Sequence, residues 1–183
     1  LKIAFFFLLS MPGAPFIYYG DEIGMRYVEN LVSVEGGYGR TGSRSPMQWD
    51  ASVNAGFSTA PKERLYVPQD ESADRPTVEK QMADENSLYH EIKKLIQIRQ
   101  KHKALQSKGE ITFVYAQENA YPLAYLREEG DEKILVVINP AAREVSFECT
   151  YDPKETIYCF GGEMVWADGK MTVPAQSVAF LKM

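Results

Sequence analysis

The sequence predicts two folds in succession, an alternating α/β unit followed by a small all-β antiparallel sandwich. Three patterns carry this prediction: a short helix-to-strand connection near the start, one amphipathic helix in the middle, and regular alternation of strand and turn signals after it. The chain has 183 residues, a length that suits one domain or two small ones with enough apolar content for a core. Its formal net charge is -5, and Lys and Arg are scattered, so we expect no nucleic-acid partner.

The first unit begins with an apolar run and a turn. Residues 1–9 read LKIAFFFLL and Pro12-Gly13 follows, which predicts the end of a buried helix. The run is too short to cross a bilayer, which takes about 20 apolar residues, so we expect no membrane partner and a cytoplasmic location. Residues 14–19 contain an unbroken apolar stretch and predict a parallel strand that is covered on both faces.

A long segment without helical or strand periodicity covers residues 24–83. Loops of that length are usually functional or disordered. Its aromatic residues, Tyr38, Trp49, Phe57 and Tyr66, argue against disorder. By position, Tyr18, Tyr19, Tyr38 and Trp49 are candidates for stacking on a ligand. We favour core packing for Tyr18 and Trp49, whereas Tyr38 stands beside glycines and is open to either.

The clearest helix is predicted over residues 84–105. Leu88, Ile92, Leu95, Ile96 and Arg99 repeat at spacings of three and four, which places them along one face. His90 and His102 are the only histidines, and neither has a carboxylate or cysteine at metal-ligand spacing. We therefore expect both histidines at the surface and no metal site.

The last part of the chain alternates strand patterns with turn signals such as Gly130-Asp131 and Asp168-Gly169. Strands are predicted over residues 111–117, 123–127, 134–139, 145–150, 156–160 and 177–182, which together form an antiparallel sandwich. Cys149 and Cys159 lie among these strands. Buried free thiols are the expectation, with a cross-strand disulfide as the alternative.

Three segments identify a family. Residues 13–25, GAPFIYYGDEIGM, resemble the strand-eight motif of glycoside hydrolase family 13, the α-amylase family. Residues 43–58, SRSPMQWDASVNAGFS, resemble the RTPMQWD…NAGF stretch of its branch of oligo-1,6-glucosidases, α-glucosidases and trehalose synthases. Residues 78–105 resemble the segment that leads into the eighth helix of the family's barrel.

The resemblance implies a fold class: the C-terminal remnant of a (β/α)8 TIM barrel, with its last strand and helices, followed by the sandwich. We place the barrel portion, including the long loop after strand eight, at residues 1–106 and the β-sandwich at 107–183. A complete barrel needs about 250 residues, so the expected partner is a missing N-terminal barrel portion. A remnant leaves sheet edges and apolar helix faces uncovered, and we expect this chain to self-associate or to be partly disordered.

The resemblance also implies a function. Members of the family act on α-glucosidic bonds with retention, through an aspartate nucleophile, a glutamate acid/base and a second aspartate, at the ends of strands four, five and seven. The chain lacks those strands, so we expect no catalytic residue in it, no activity from it alone and no cofactor. The alternative is a non-catalytic module that binds malto-oligosaccharides, or an assembly module, with Tyr121, Tyr125 and Trp166 as candidate sugar contacts.

The candidate substrate-binding residues are Arg44, Tyr38 and Glu22. Arg44 matches the motif arginine and could pair with a catalytic carboxylate or bind a sugar hydroxyl. Glu22 stands next to Asp21, and adjacent carboxylates cannot both face one scissile bond across the roughly 5 to 10 Å that glycoside hydrolysis needs. The two acids either hold the loop through hydrogen bonds and ion pairs, or one of them faces the mouth of the barrel.

Overall fold

A computed structural model describes residues 1–183, which form two compact units. One unit contains residues 1–15 and 94–183, and the other contains residues 16–93. The α-helices are α1 (Lys2–Ser10), α2 (Val78–Ala83) and α3 (Leu88–Lys101). Single 3-10 turns lie at Asp21–Ile23, Thr41–Ser43, Val53–Gly56, Lys62–Arg64 and Lys103–Leu105. None of the helices combines the length and the apolarity that a membrane crossing demands.

The β-sandwich consists of two antiparallel sheets, as the sequence predicted. Its strands are β1 (Glu110–Tyr115), β2 (Leu123–Glu129), β3 (Glu132–Asn139), β4 (Val145–Glu148), β5 (Glu155–Phe160), β6 (Val165–Ala167), β7 (Lys170–Val173) and β8 (Ser177–Lys182). One sheet has the order β1-β2-β3-β8-β5 and the other the order β4-β7-β6. The core between them includes Leu135, Leu181, Phe147 and Met171. Strands β6 and β7 were not predicted, because so few residues give too short an alternation to recognise.

Helix α1 packs on the five-stranded sheet through one aromatic residue. Phe6 is fully buried, and its ring stacks on that of Phe180 in β8 at 4.2 Å between centroids and on that of Tyr158 in β5 at 5.9 Å. Phe5 and Leu9 are buried as well. The apolar run at the start of the chain is therefore a helix end in a protein core, as predicted.

Two buried arginines surround the C-terminal end of α1, where helix carbonyls lack partners within the helix. Arg127 is 0% exposed, and its guanidinium donates to four carbonyl oxygens, those of Ser10, Gln106, Gly109 and Glu110. Arg99 donates to the carbonyl oxygens of Leu9, Met11 and Gly13 over 2.7 to 2.8 Å. Burial lowers the pKa of both guanidinium groups.

Residues 14–19 differ from the prediction, because no strand forms there. Strands exist through pairing with neighbours, and this stretch is hydrogen-bonded into neither sheet. Phe16 is 89% exposed, whereas a strand covered on both faces would bury it. Gly20 then turns the chain with a φ of 90°, and a Cβ at this position would lie 2.5 Å from the sulfur of Met25.

The long segment after Gly20 contains helix α2, which the sequence did not predict. The Thr77 hydroxyl caps this helix by accepting from the backbone N–H of Lys80 at 3.2 Å. Backbone N–H groups of Val78 and Glu79 donate to the carbonyls of Gln48 and Trp49, both at 2.9 Å. The RSPMQWD stretch and the start of α2 therefore hold each other.

Helix α3 is the predicted middle helix, but it is shorter than expected. It begins after Ser87, whose hydroxyl accepts from the N–H of His90, and it ends at Lys101. Of the predicted apolar face, Leu88, Ile92, Leu95 and Arg99 are buried.

The prediction that both histidines are surface residues is wrong for His102, whose side chain is 12% exposed. Its Nδ1 lies 2.6 Å from Oε1 of Glu132, and Oε2 of the same carboxylate accepts from the N–H of Ala104. His90 is half-buried, with Nε2 against the carbonyl of Met82.

Both cysteines are free thiols, in agreement with the first of the two alternatives. Cys149 is buried and Cys159 is half-buried. Burial raises the pKa of the Cys149 thiol, which keeps it protonated and unreactive.

Candidate functional site

The unit formed by residues 16–93 contains an apolar cavity of about 430 Å³. Its lining is largely aromatic and apolar, and consists of Tyr19, Glu22, Arg44, Pro46, Met47, Trp49, Phe57, Tyr66 and Val67. The volume falls within the range of small-molecule sites, and a mostly apolar lining with a few placed polar groups is typical of them. We call this the aromatic cavity.

Two of the predicted substrate-binding residues, Glu22 and Arg44, meet at the aromatic cavity. Glu22 is the carboxylate in the lining, and its Oε2 accepts from the backbone N–H of Gly20 at 2.8 Å. Arg44 supplies the positive charge, and its guanidinium has no carboxylate within ion-pair distance. The cavity can therefore offer a sugar one acceptor group and one set of donors beside its aromatic surfaces.

The Asp21 carboxylate is in a different environment from that of Glu22. Its carboxylate accepts from the backbone N–H of Tyr18 at 3.0 Å, and Asp21 is not part of the cavity lining. The two acids lie in a 3-10 turn rather than an extended strand. Both hold the loop through hydrogen bonds, as one interpretation of the sequence proposed, and Glu22 also faces the cavity.

Tyr38 does not reach the aromatic cavity. It lines a neighbouring cleft of about 80 Å³ that shares Arg44, Tyr66 and Val67 with it. The Tyr38 hydroxyl donates to the carbonyl of Glu35 at 3.2 Å, and the guanidinium of Arg40 lies 5.2 Å from its ring centroid. Hydrogen bonding to the Glu35 carboxylate raises the pKa of Tyr66, a residue that lines both the cavity and the cleft.

Trp49 is not core filling, contrary to the expectation. Its side chain is 48% exposed and forms part of the cavity wall. Tyr19 is also in the lining. The pKa of its phenol is raised, mainly by burial, although the nearby Arg44 charge acts in the opposite direction. The aromatic residues within 24–83 predicted an ordered loop, but only the folded chain shows which of these side chains line the same cavity.

A left-handed turn joins two of the cavity's rings. Asn54, Ala55 and Gly56 have φ values of 51°, 54° and 71°. The carbonyl of Ala55 accepts from the N–H of Trp49 at 2.8 Å, and the carbonyl of Asn54 accepts from the N–H of Phe57 at 3.0 Å. The turn thus connects the backbone of one cavity residue with that of the next.

The three sandwich aromatics named for the alternative function are in different environments. Tyr125 is fully buried, and its hydroxyl lies 2.6 Å from that of Ser10, so it is excluded as a sugar contact. Burial raises its pKa to about 12. Tyr121 is exposed, and Trp166 lines a separate cavity of about 250 Å³ in the sandwich. No group of three or more His, Cys, Asp or Glu side chains is arranged to hold a metal ion.

Comparison with known proteins identifies the family. Residues 1–108 match the family model of the α-amylase catalytic domain, and residues 111–179 match that of the maltogenic amylase C-terminal domain. Trehalose synthase of Thermus thermophilus is 34% identical over 145 residues, which cover 77% of this chain and 14% of that protein. Oligo-1,6-glucosidase of Parageobacillus thermoglucosidasius is 32% identical over 161 residues, which cover 73% of this chain and 28% of that protein.

Solved structures agree with this assignment. The crystal structure of trehalulose synthase MutB from Pseudomonas mesoacidophila superposes with a TM-score of 0.80 and 25% identity, over 99% of this chain and 37% of that one. The chain thus spans between about one seventh and two fifths of the length of these three relatives.

The order of these matches, an α-amylase-type domain segment followed by an all-β antiparallel domain, agrees with the observed fold. The chain belongs to the α-amylase family, glycoside hydrolase family 13. Within that family its relatives are trehalose synthases, oligo-1,6-glucosidases and a trehalose-6-phosphate hydrolase.

Proposed function

We propose that this chain is the C-terminal part of a retaining glycosidase or glucosyltransferase that acts on α-glucosides, and that it is inactive by itself. Residues 1–106 complete the catalytic barrel and residues 107–183 form the sandwich. The aromatic cavity is the observation that carries this proposal, because it joins Glu22 and Arg44 with four aromatic rings in one space. The retaining reaction needs two carboxyl groups about 5 to 5.5 Å apart, and this lining provides one.

In this proposal the cavity contributes to sugar binding rather than to bond cleavage. Aromatic faces cover the apolar C–H surfaces of a pyranose ring, and the Arg44 guanidinium donates to its hydroxyl oxygens. The Glu22 carboxylate accepts from a hydroxyl group. Tyr38 binds a more distant part of the substrate from the neighbouring cleft, which Arg44 also lines.

The first experiment measures activity and binding with the chain alone. We expect no release of glucose from maltose, isomaltose or trehalose, since the catalytic carboxylates lie in the N-terminal barrel portion, which is the proposed partner. Maltose should still bind, with chemical-shift changes at the indole N–H of Trp49. Turnover by the purified chain, or maltose shifts confined to the sandwich, would contradict the proposal.

Variants separate the cavity from general surface charge. Arg44→Ala removes charge-assisted hydrogen bonds and should weaken maltose binding by about tenfold or more. Arg64→Ala removes the same charge from an exposed turn outside the cavity lining and should leave the affinity unchanged. Equal losses from both substitutions would indicate a nonspecific effect of charge.

The second candidate function is a non-catalytic malto-oligosaccharide-binding or assembly module. The observation that favours it is the 250 Å³ sandwich cavity, where Trp166 has its indole N–H fixed on the carbonyl of Cys149 at 2.9 Å. Trp166→Ala would then abolish binding of maltoheptaose while Arg44→Ala would not. Loss of binding with Arg44→Ala but not with Trp166→Ala would support the first proposal, in which the aromatic cavity binds the sugar.

A cytoplasmic location belongs to the same proposal. Two cysteines, both free, fit a reducing compartment, where thiols are kept from pairing. Fractionation of the cells that produce the full-length protein tests this location directly.

A further inference from the structure

The left-handed turn Asn54–Gly56 is the strained backbone element beside the aromatic cavity. Left-handed conformation is routine for glycine and tolerated by asparagine, but it is unfavourable for alanine. Ala55 nevertheless adopts it, with a φ of 54° and a side chain that is 0% exposed. Strained residues persist where the surroundings over-determine them, and such residues cluster at functional sites.

Asn54 is the residue that makes the most contacts in this turn. Its side-chain Nδ2 donates to the carbonyls of Ser58 and Ala60, both at 2.8 Å. Its own carbonyl accepts from the N–H of Phe57 at 3.0 Å and from Nε2 of the buried Gln69 at 2.7 Å. One residue therefore fixes the backbone on both sides of Phe57.

Ala55 fixes the other aromatic residue. Its carbonyl accepts from the N–H of Trp49 at 2.8 Å and from that of Asp50 at 3.3 Å. Gly56 completes the turn, since a Cβ there would lie 2.7 Å from a carboxylate oxygen of Asp50. Trp49 and Phe57 belong to the same cavity lining, so the turn is hydrogen-bonded to the backbone of two residues of that lining.

We propose that Asn54 is a positioning residue that holds the left-handed turn, and through it holds Trp49 and Phe57 as one rigid aromatic wall for a pyranose ring. A turn in the ordinary right-handed region would change the direction of the chain between the two rings and separate them. The strain at Ala55 is retained for this placement. The part of this inference that concerns the sugar rests on the proposed function; the part that concerns the two rings does not.

The test uses the whole chain labelled with 5-fluorotryptophan, which gives two fluorine signals because the sequence contains two tryptophans. Trp49→Phe assigns the signals, and the Trp166 signal is an internal control in the other compact unit. Asn54→Gly keeps the left-handed backbone accessible but removes both side-chain donations. We expect it to shift and broaden the Trp49 signal, and to weaken maltose binding several-fold, while the Trp166 signal stays unchanged.

Ala55→Gly is the matched control. It relieves the unfavourable φ while every backbone bond of the turn can still form, so the Trp49 signal and the affinity for maltose should match those of the unsubstituted chain. If Asn54→Gly fails to fold by circular dichroism, Gln69→Leu replaces it, since it removes a single bond to the Asn54 carbonyl. The same change of the Trp49 signal is expected with Gln69→Leu, at smaller size.

The possible outcomes distinguish failure of the positioning role from failure of the proposed function. An unchanged Trp49 signal in a folded Asn54→Gly chain would overturn the positioning role, whatever the binding data show. A changed Trp49 signal in a chain that never bound maltose would support the positioning role and reject the proposed substrate class. A Trp166 signal that moves equally would show a general loss of structure and would also overturn the inference.

Discussion

Arg127 combines complete burial with the absence of a carboxylate partner, a rare state for a charged side chain. Its charge is distributed over four backbone carbonyls at the end of α1 and around the start of β1. The carbonyl dipoles take the place of water in solvating the guanidinium cation. The carbonyls of Ser10 and Gly109 are buried, and the guanidinium supplies their hydrogen-bond donor in return.

Arg127→Met tests this arrangement. The substitution removes the guanidinium donor from four carbonyls, of which those of Ser10 and Gly109 are buried, and we expect the free energy of unfolding to fall by about 3 kcal/mol or more. Arg127→Lys is the matched control, because it keeps the charge but lacks the planar donor set, and it should lose most of the same stability. Urea unfolding measures both; a loss below about 1 kcal/mol for Arg127→Met would contradict the role given to these bonds.

At the scale of elements, the β2–β3 hairpin is fastened to the turn after α3 by one carboxylate. Glu132 begins β3, and its two oxygens meet Nδ1 of His102 and the N–H of Ala104. Burial alone would raise the pKa of Glu132, but these hydrogen bonds and the electrostatic interaction with His102 outweigh it, so the pKa is lowered.

This shift predicts the dependence of stability on pH. A carboxyl group whose folded pKa lies below its unfolded value stabilises the fold above the ordinary value of 4.5, and that stability is lost as the pH falls through the lower folded pKa. Unfolding in urea between pH 6 and pH 3 should show this loss. Glu132→Gln cannot titrate and should remove this component; an identical pH profile for both chains would refute the assignment.

At the scale of the whole molecule, large apolar side chains remain exposed. Leu1, Phe7, Phe16, Tyr18 and Val34 are each more than two fifths exposed. Where exposed apolar side chains form a contiguous patch, they usually mark a surface that contacts another protein. In the proposed function the preceding barrel portion covers those of the barrel remnant.

Self-association of the chain is the prediction that belongs to this scale. Without its proposed partner, the chain should elute from a size-exclusion column ahead of a 20.7 kDa monomer, and earlier still at higher concentration. Phe16→Asp places a charge on the exposed segment and should shift elution towards the monomer. A compact monomer at every concentration would contradict this prediction.

Much of the fold could be predicted from local patterns. Strands β2, β3 and β8 alternate or run apolar over six to eight residues, and α3 shows a clear apolar face. Strands β6 and β7 and helix α2 are too short to give a periodic signal of their own. For residues 14–19, a strand was predicted and none forms. The composition suits a strand, but a strand also requires a neighbouring strand to pair with.

Part of the candidate site could be predicted in the same way. Glu22 and Arg44 were found through motif positions, and both line the aromatic cavity. Their role in substrate binding, and that of Tyr38, stays a prediction, as does the domain boundary after residue 106. Phe57 and Tyr66 were missed as lining residues, since aromatic side chains in a loop carry no information about which cavity they line.

The sequence by itself determined the family, the order of barrel remnant and sandwich, and the residue types available for a sugar. These features depend on local periodicity and on motifs, both of which are properties of residues that are close together in the sequence. The tertiary structure alone decided that four backbone carbonyls accept from Arg127, that His102 pairs with Glu132, and that a left-handed turn is hydrogen-bonded to the backbone of Trp49 and of Phe57. Each of these joins backbone or side chains through the folded path of the chain, so no local pattern could reveal it.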